Sequence, residues 1–493
     1  MIALLAYVPF LYSEPGRISA DTKAYLYLDP AHLLSTAASM WNSDQGFGMV
    51  THQNIGYLFP MGPYYLLFHW LGVSAWIAQR FWMGSLLFLA ALGVRRFLEE
   101  MGIGRTAAWA AAIPYMLSPY ILVNIDRTTA ILMPWAGLGW MMLYAVRAAR
   151  QGGWRYPARF AFVLALVGGV NATSVLLVGL APATWLIYAV LTGEITASRA
   201  ATVAAKISGL GLLVSLWWIG GLWAEGAYGI NILNYTESIT TVASTSTTSE
   251  VLRGLGYWYF YGSDHIQPWT MASGPYETNA LVVAASFFLP AAGMVSSLFV
   301  RWRYRGYFVA IGLLGIILAV GAYPISSPAP IGAVMKWLGL HTTVGLAMRS
   351  TNRVMPLVLL SFGTLLAAAI HARAKRKHTS PRRMLGITAL ASMVAIQPLF
   401  AGSALAANLS SPSTLPSYVT AAATDLNRGP ATSTVLGLPG VDFGNFRYGA
   451  YVDSLWPGLL SRPFETNQVT PQGENASVDL IRALDGRFQD GYA

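Results

Sequence analysis

The stretch ISADTKAYLYLDPAHLLSTAASMW, residues 18–41, follows closely on the apolar run MIALLAYVPFLY at 1–12. It holds two aspartates and a lysine within nine residues, then passes through Asp29-Pro30 into a new apolar pattern. Asp is a favoured helix N-cap and Pro a favoured first helical residue, so a helix is predicted to start at Pro30. Leu33, Leu34, Ala37, Ala38 and Trp41 fall on one face, with His32, Ser35, Thr36 and Ser39 opposite. That is the pattern of a helix lying in a membrane interface. The loop GYLFPMGPYYLLFHWLG at 56–72 predicts a second short interfacial helix, with Pro63 near its start.

The rest of the chain agrees with a membrane setting. Charged residues are 11% of the 493, against roughly 25% in soluble domains, and hydrophobic residues are 55%. Cysteine is absent, which excludes disulfides, thiolate catalysis and Cys-ligated zinc. The net charge of +10 is a topology signal and does not point to nucleic acid. Five short segments (95–105, 147–159, 193–206, 301–305 and 373–383) hold 18 of the 31 Lys and Arg, and only three of the 21 acids, Glu99, Glu100 and Glu194. Cations concentrated on alternate loops mark the cytoplasmic side.

Apolar runs long enough to be spans, roughly 20 residues each, are predicted near 75–94, 106–124, 130–146, 160–174, 175–192, 207–224, 280–300, 306–322, 354–372 and 384–401. The fold class is an all-α polytopic membrane bundle of about 10–12 helices. Residues 1–12 are short for a span and lack a basic flank, so the natural start is expected upstream. Residues 1–401 are assigned to the membrane domain, with outer loops 13–62, 225–279 and 323–353. Residues 402–493, polar and rich in turn residues, are assigned to a small α/β or β-rich outer segment, expected to be incomplete and to pack on the membrane core.

Candidate chemistry collects in those outer loops. Asp29 is explained as a cap, whereas Asp21 occupies no cap position and is either a solvated charge, a partner for Lys23 or a reactive carboxylate. If 21–29 were helical, the two aspartates would lie roughly 12 Å apart along the axis, too far to share one metal ion. His52, Gln53 and Asn54, followed by Tyr57, read as a polar turn or as amides beside an aromatic ring that would suit a sugar. Arg349 and Arg353 stand on the outer side, where the positive-inside rule disfavours them. They either snorkel to headgroups or clamp a phosphate. Asn171, in GGVNATS, caps a turn or faces a cavity. The outer histidines show no metal-ligand spacing. No Asp, Glu, Lys or Arg lies in the middle of a predicted span, which disfavours an ion-coupled transporter and suits an enzyme working at a lipid headgroup.

The block DTKAYLYLDPAHLL…MWNSDQGFGMVTHQNIGYLFPMGPYYLL resembles the signature of the large α-(1→3)-arabinofuranosyltransferases of GT-C type, with further similarity in GGVNA, TTSEVLRGLGYWYFYG and LPGVDFGNFRYG. Members of that family usually run longer, with carbohydrate-binding modules after the core. The resemblance implies a GT-C bundle whose first outer loop supplies the catalytic acid and whose donor is a polyprenyl-phosphate sugar. It implies an inverting transfer of arabinofuranose to a cell-wall arabinan, in the lipid bilayer of a bacterial plasma membrane, with the active site facing outward. Asp21 is then the first candidate for the general base and Asp29 the second. Lys23, Arg349 and Arg353 are candidates for the donor phosphate, with a divalent cation as an optional helper and no certain cofactor. His52, Gln53, Asn54, Tyr57 and Asn171 are candidates for sugar contacts. Competing readings are a GT-C transferase of another sugar, a lipid-linked sugar transporter and a non-catalytic scaffold.

Overall fold

The computed structural model describes every residue except 22, 52–53, 230, 264–266, 377–379, 406–409, 431, 439–443, 452–453, 467–475 and 492–493. Its chain divides into two compact units, one of residues 1–13, 82–214 and 237–405, the other of 14–81, 215–236 and 406–493.

Among the described residues, six helices are long and apolar enough to cross a membrane: Ala75–Glu100, Thr129–Gln151, Ala172–Leu191, Ala197–Tyr228, Ala280–Phe299 and Thr351–Lys375. Shorter apolar helices cover Ile2–Tyr12 and Arg305–Val320. The runs predicted at 106–124 and 384–401 are helical at Arg105–Met116 and Pro381–Ala395. The predicted pair at 160–192 resolves into Arg155–Val167 and Ala172–Leu191, because Asn171 caps the second by accepting from the Ser174 amide at 3.0 Å.

In the first unit the spans differ sharply in burial. The apolar windows of Thr129–Gln151 and Thr351–Lys375 are 89% buried, that of Ala197–Tyr228 only 17%. The first two are the core of the bundle, where Trp135, Tyr115, Tyr307 and Phe308 are fully buried. With lipid as apolar as the core, close packing must bring helices together, and small residues permit it. A Cβ on Gly293 would lie 2.6 Å from Phe362, and one on Gly315 2.7 Å from Val358. A methyl on Gly139 would enter the backbone of Gly93 and Val94. Gly139→Ala is therefore expected to destabilise the bundle by about 1–3 kcal/mol, read as a lowered melting temperature in detergent. An unchanged melting temperature would show that the two helices separate freely.

The basic segments of the first unit are tied together by the three acids they contain. Glu99 pairs with Arg95 at 3.0 Å, Glu100 with Arg147 at 2.8 Å, and Glu194 with both Arg150 and Arg303 at 2.9 Å. One carboxylate, Glu194, thus joins three connections of the bundle.

The second unit is built from distant parts of the sequence. Strand Arg17–Ser19 pairs antiparallel with Ser410–Pro412, and Val435–Gly437 pairs in parallel with Phe464–Thr466. Part of the segment after 402 therefore shares a sheet with residues 17–19. Ala24 packs with Leu415, Tyr451 and Leu455 in one small core, while Ala423, Leu460 and Phe464 form another. The predicted interfacial helix starts as expected but stops sooner, at Pro30–Thr36. Trp41 instead lies in a two-residue strand opposite Val50. The loop closing that hairpin has Gly46 and Gly48 at φ +64° and +90°, and Gly48 sits so close under the Trp41 ring that no side chain would fit. The second interfacial helix is Met61–Trp70.

Candidate active site

Asp29 caps its helix: its Oδ1 accepts from the His32 amide at 2.9 Å, with Pro30 at the first helical position. Asp21 is different. Among the described residues between the two, only Tyr25–Leu28 is helical, so the pair does not share a helix face. Asp21 is 3% exposed, directly after the strand Arg17–Ser19, and its amide turns back to the Ser19 carbonyl at 2.7 Å.

Two residues at the start of Ala75–Glu100 fix that segment. Gln79, fully buried, accepts from the Ser19 amide and donates to the Ser19 carbonyl, both at 3.1 Å. Its side chain thus pairs with the backbone as a neighbouring strand would. The same amide nitrogen donates to the Tyr27 hydroxyl at 3.1 Å. Arg80, 1% exposed, donates to Gln79 at 2.6 Å, to the Arg17 carbonyl at 2.9 Å and to the Glu14 carbonyl at 3.3 Å. The Asp21 carboxylate acts electrostatically on Arg80 and on Tyr65. Burial, reinforced by Tyr27 and Asp21, pushes the Tyr65 hydroxyl well above its ordinary range, so it stays protonated. Tyr27 and Tyr65 meet edge to face with centroids 5.0 Å apart. The result is a buried carboxylate on a segment held by Gln79 and Arg80. Such a group can hold a negative charge and accept a proton from a hydroxyl brought against it.

The other candidates in this unit are also held. Tyr25 donates its hydroxyl to the Asn54 side-chain carbonyl, and Tyr57 is buried. Lys23 is partly exposed. His52 and Gln53 lie outside the described residues. Glu465, from the C-terminal segment, accepts from the Phe47 amide at 2.6 Å and so anchors the hairpin loop.

Asn171, Arg349 and Arg353 belong to the first unit. Arg353 donates to Asn171 Oδ1 at 3.3 Å, so Asn171 both caps a helix and orients a guanidinium. Arg349 is already neutralised: it pairs with Glu237 at 3.1 Å and donates to the Leu346 carbonyl at 2.9 Å. Ser350 donates to the same Glu237 at 3.2 Å. Around them are residues that sequence reasoning passed over. Asp126 is fully buried and accepts from Thr270 at 3.0 Å. Arg127 lies 4.2 Å over the Tyr259 ring, which stacks on Trp269. Burial raises the Tyr257 hydroxyl, while the nearby Arg353 and, more weakly, Arg127 pull it down. Arg127 breaks the positive-inside pattern just as Arg349 does, and that was the signal for it. Among the described residues, no three His, Asp or Glu side chains sit together as a metal site.

Arg349 and Arg353 should therefore behave differently. Arg349→Gln leaves Glu237 without its cation and is expected to cost about 1–3 kcal/mol in stability. Arg353→Gln is expected to leave stability nearly unchanged and to raise the donor KM. Thermal unfolding and donor titration on both variants check this, and the reverse pattern would reassign the two arginines.

Among the described residues, six helices long and apolar enough to cross a membrane, in a chain with few and short strands, define a polytopic membrane protein of the GT-C class. Residues 5–493 match the family described as alpha-(1→3)-arabinofuranosyltransferase, N-terminal GT-C domain. The chain belongs to that family. Similar proteins include the alpha-(1→3)-arabinofuranosyltransferase of Mycobacterium tuberculosis, 28% identical over 511 residues, and that of Mycolicibacterium smegmatis, 27% identical over 513. The alignments cover 96% and 98% of this chain but 34% of each relative, so the chain spans about a third of their length. The cryo-EM structure of the arabinofuranosyltransferase AftD from mycobacteria shares the fold, with a TM-score of 0.76 at 24% identity, over 99% of this chain and 33% of that one.

Proposed function

We propose that this chain is the membrane core of a glycosyltransferase that moves arabinofuranose from a polyprenyl-phosphate donor to a hydroxyl of a cell-wall arabinan, in arabinogalactan or lipoarabinomannan, with inversion. The family match over residues 5–493 carries this reading. Inversion needs a single displacement: the acceptor oxygen forms its bond to the anomeric carbon as the phosphate oxygen leaves with the bonding pair. The acceptor proton must go to a base, and Asp21 is the carboxylate proposed for it. Its burial beside Arg80 and Tyr65 supports that role. Asp29, the second candidate, is engaged as a helix cap, which supports placing Asp21 ahead of it. Lys23 is proposed for the departing phosphate, where positive charge offsets the charge that develops. Arg353 keeps a proposed role toward phosphate ahead of Arg349, whose charge is met by Glu237. Asn54 and Tyr57 are proposed for sugar contacts. The basic segments support a plasma-membrane location with the first outer loop facing outward.

The test supplies purified protein in membranes with labelled polyprenyl-phosphoryl arabinofuranose and a synthetic arabinan acceptor. The expected product carries a new α-(1→3)-arabinofuranosyl residue. Absence of product overturns the reading, and turnover of a mannose or galactofuranose donor alone would assign another sugar.

A further inference from the structure

The first unit carries an apolar groove of about 470 Å³ that the proposed reaction does not use. Its walls are Gly179, Pro182 and Leu186 on helix Ala172–Leu191 and Ala197, Ala201 and Ala204 on helix Ala197–Tyr228, with Phe160 at its base. Its volume falls in the roughly 300–1,000 Å³ range of small-molecule sites. The small residues follow the spacing i, i+4, i+7, so one face of the second helix is kept hollow. Apolar side chains nearby are open to the outside of the bundle: Ile187 is 60% and Leu191 80% exposed.

The helices that line this groove also carry cations. The helix Ala197–Tyr228 has 32 residues, about 48 Å at 1.5 Å per residue, well beyond a hydrocarbon core of about 30 Å. Its first turns carry Arg199 and Lys206. Lys206 reaches the Gly153 carbonyl at 3.4 Å and lies 4.7 Å over the Trp154 ring, so this end sits against the loop before Arg155–Val167. Arg199 donates to the Ala149 carbonyl at 3.0 Å. Arg159, next to the groove residue Phe160, lies 5.7 Å over Tyr156. Among the described residues, none of these three cations has a carboxylate partner. The acid between the two groove helices, Glu194, is consumed by Arg150 and Arg303. An aromatic residue, Trp154, 60% exposed, marks the headgroup level.

From an open apolar channel with three cations on its neighbouring segments that have no carboxylate partner among the described residues, we infer that this groove is a binding site for an anionic diacyl phospholipid from the leaflet on the basic side. An acyl chain fills the channel and the headgroup phosphate meets Arg159, Arg199 and Lys206. Basic pockets between helices on this face recognise such headgroups. A zwitterionic lipid would satisfy the channel but not the charge, and a soluble anion the charge but not the channel.

The experiment measures lipid retained by the purified full chain, by native mass spectrometry, after exchange into nanodiscs containing phosphatidylglycerol and phosphatidylcholine in equal amounts. Wild type is expected to retain phosphatidylglycerol preferentially. The triple variant Arg159→Gln, Arg199→Gln, Lys206→Gln is expected to lose that preference at least five-fold. A second variant, Ala201→Trp, fills the channel without changing charge and should lose retention of both lipids. Arg382→Gln with Arg383→Gln, basic residues of a different segment, should retain lipid like wild type. Retention unchanged in either the triple or the filled variant overturns the site, as does an equal loss in the Arg382 and Arg383 control, which would make the effect a general surface charge.

Discussion

Asp21→Asn is expected to leave the chain folded, inserted and able to bind donor, and to lower turnover by about 10²–10⁴-fold, the contribution typical of a positioned general base. The substitution keeps the shape of the side chain and removes its capacity to take a proton. Because Asp21 is 3% exposed, the variant also changes a buried group, so its melting temperature must be measured beside its rate. A folded variant with near-full turnover would sink the assignment. Asp29→Asn is the matched control: asparagine caps helices about as well as aspartate, so activity should stay close to wild type. A loss in Asp29→Asn equal to that in Asp21→Asn would return Asp29 to the chemistry.

Arg80→Met is expected to be the most damaging substitution away from the reacting groups. The guanidinium satisfies Gln79 and two backbone carbonyls. Removing it leaves those buried oxygens unsatisfied, at about 1–3 kcal/mol each. The segment 14–21 should then lose its fixed path, with turnover falling as far as in Asp21→Asn. Hydrogen exchange across residues 14–21 separates the two causes. Arg80→Met should speed exchange there, whereas Asp21→Asn should not. Slow exchange in both would make Arg80 a mere packing residue.

What could be read from the sequence was local. The cap at Asp29 depends on three residues and was legible as Asp-Pro. The spans and the basic loops follow from hydropathy and charge, which act along the chain. The end of the first interfacial helix was less visible, since Trp41 leaves it for a hairpin whose turn is set by Gly46 and Gly48; the run NSDQGFG was the available sign. The environment of Asp21 was not legible at all. It depends on Gln79 and Arg80, some 60 residues on, and on a strand near the other end of the chain. The polar pair Gln79-Arg80, inside an otherwise apolar run, was the clue that could have pointed there. Arg349 shows the same limit, because its charge is cancelled by Glu237, more than 100 residues earlier.

The strand Arg17–Ser19 has a timing consequence. Its partner, Ser410–Pro412, is nearly 400 residues later, with Arg17 and Ser410 separated by 393 positions. At about 5–20 residues per second of synthesis, the ribosome needs roughly 20–80 s to deliver that partner. Throughout that interval the strand that leads to Asp21 lacks its pairing strand. The strand that leads to Asp21 therefore reaches its final pairing only after residues 410–412 have been made, long after its own synthesis.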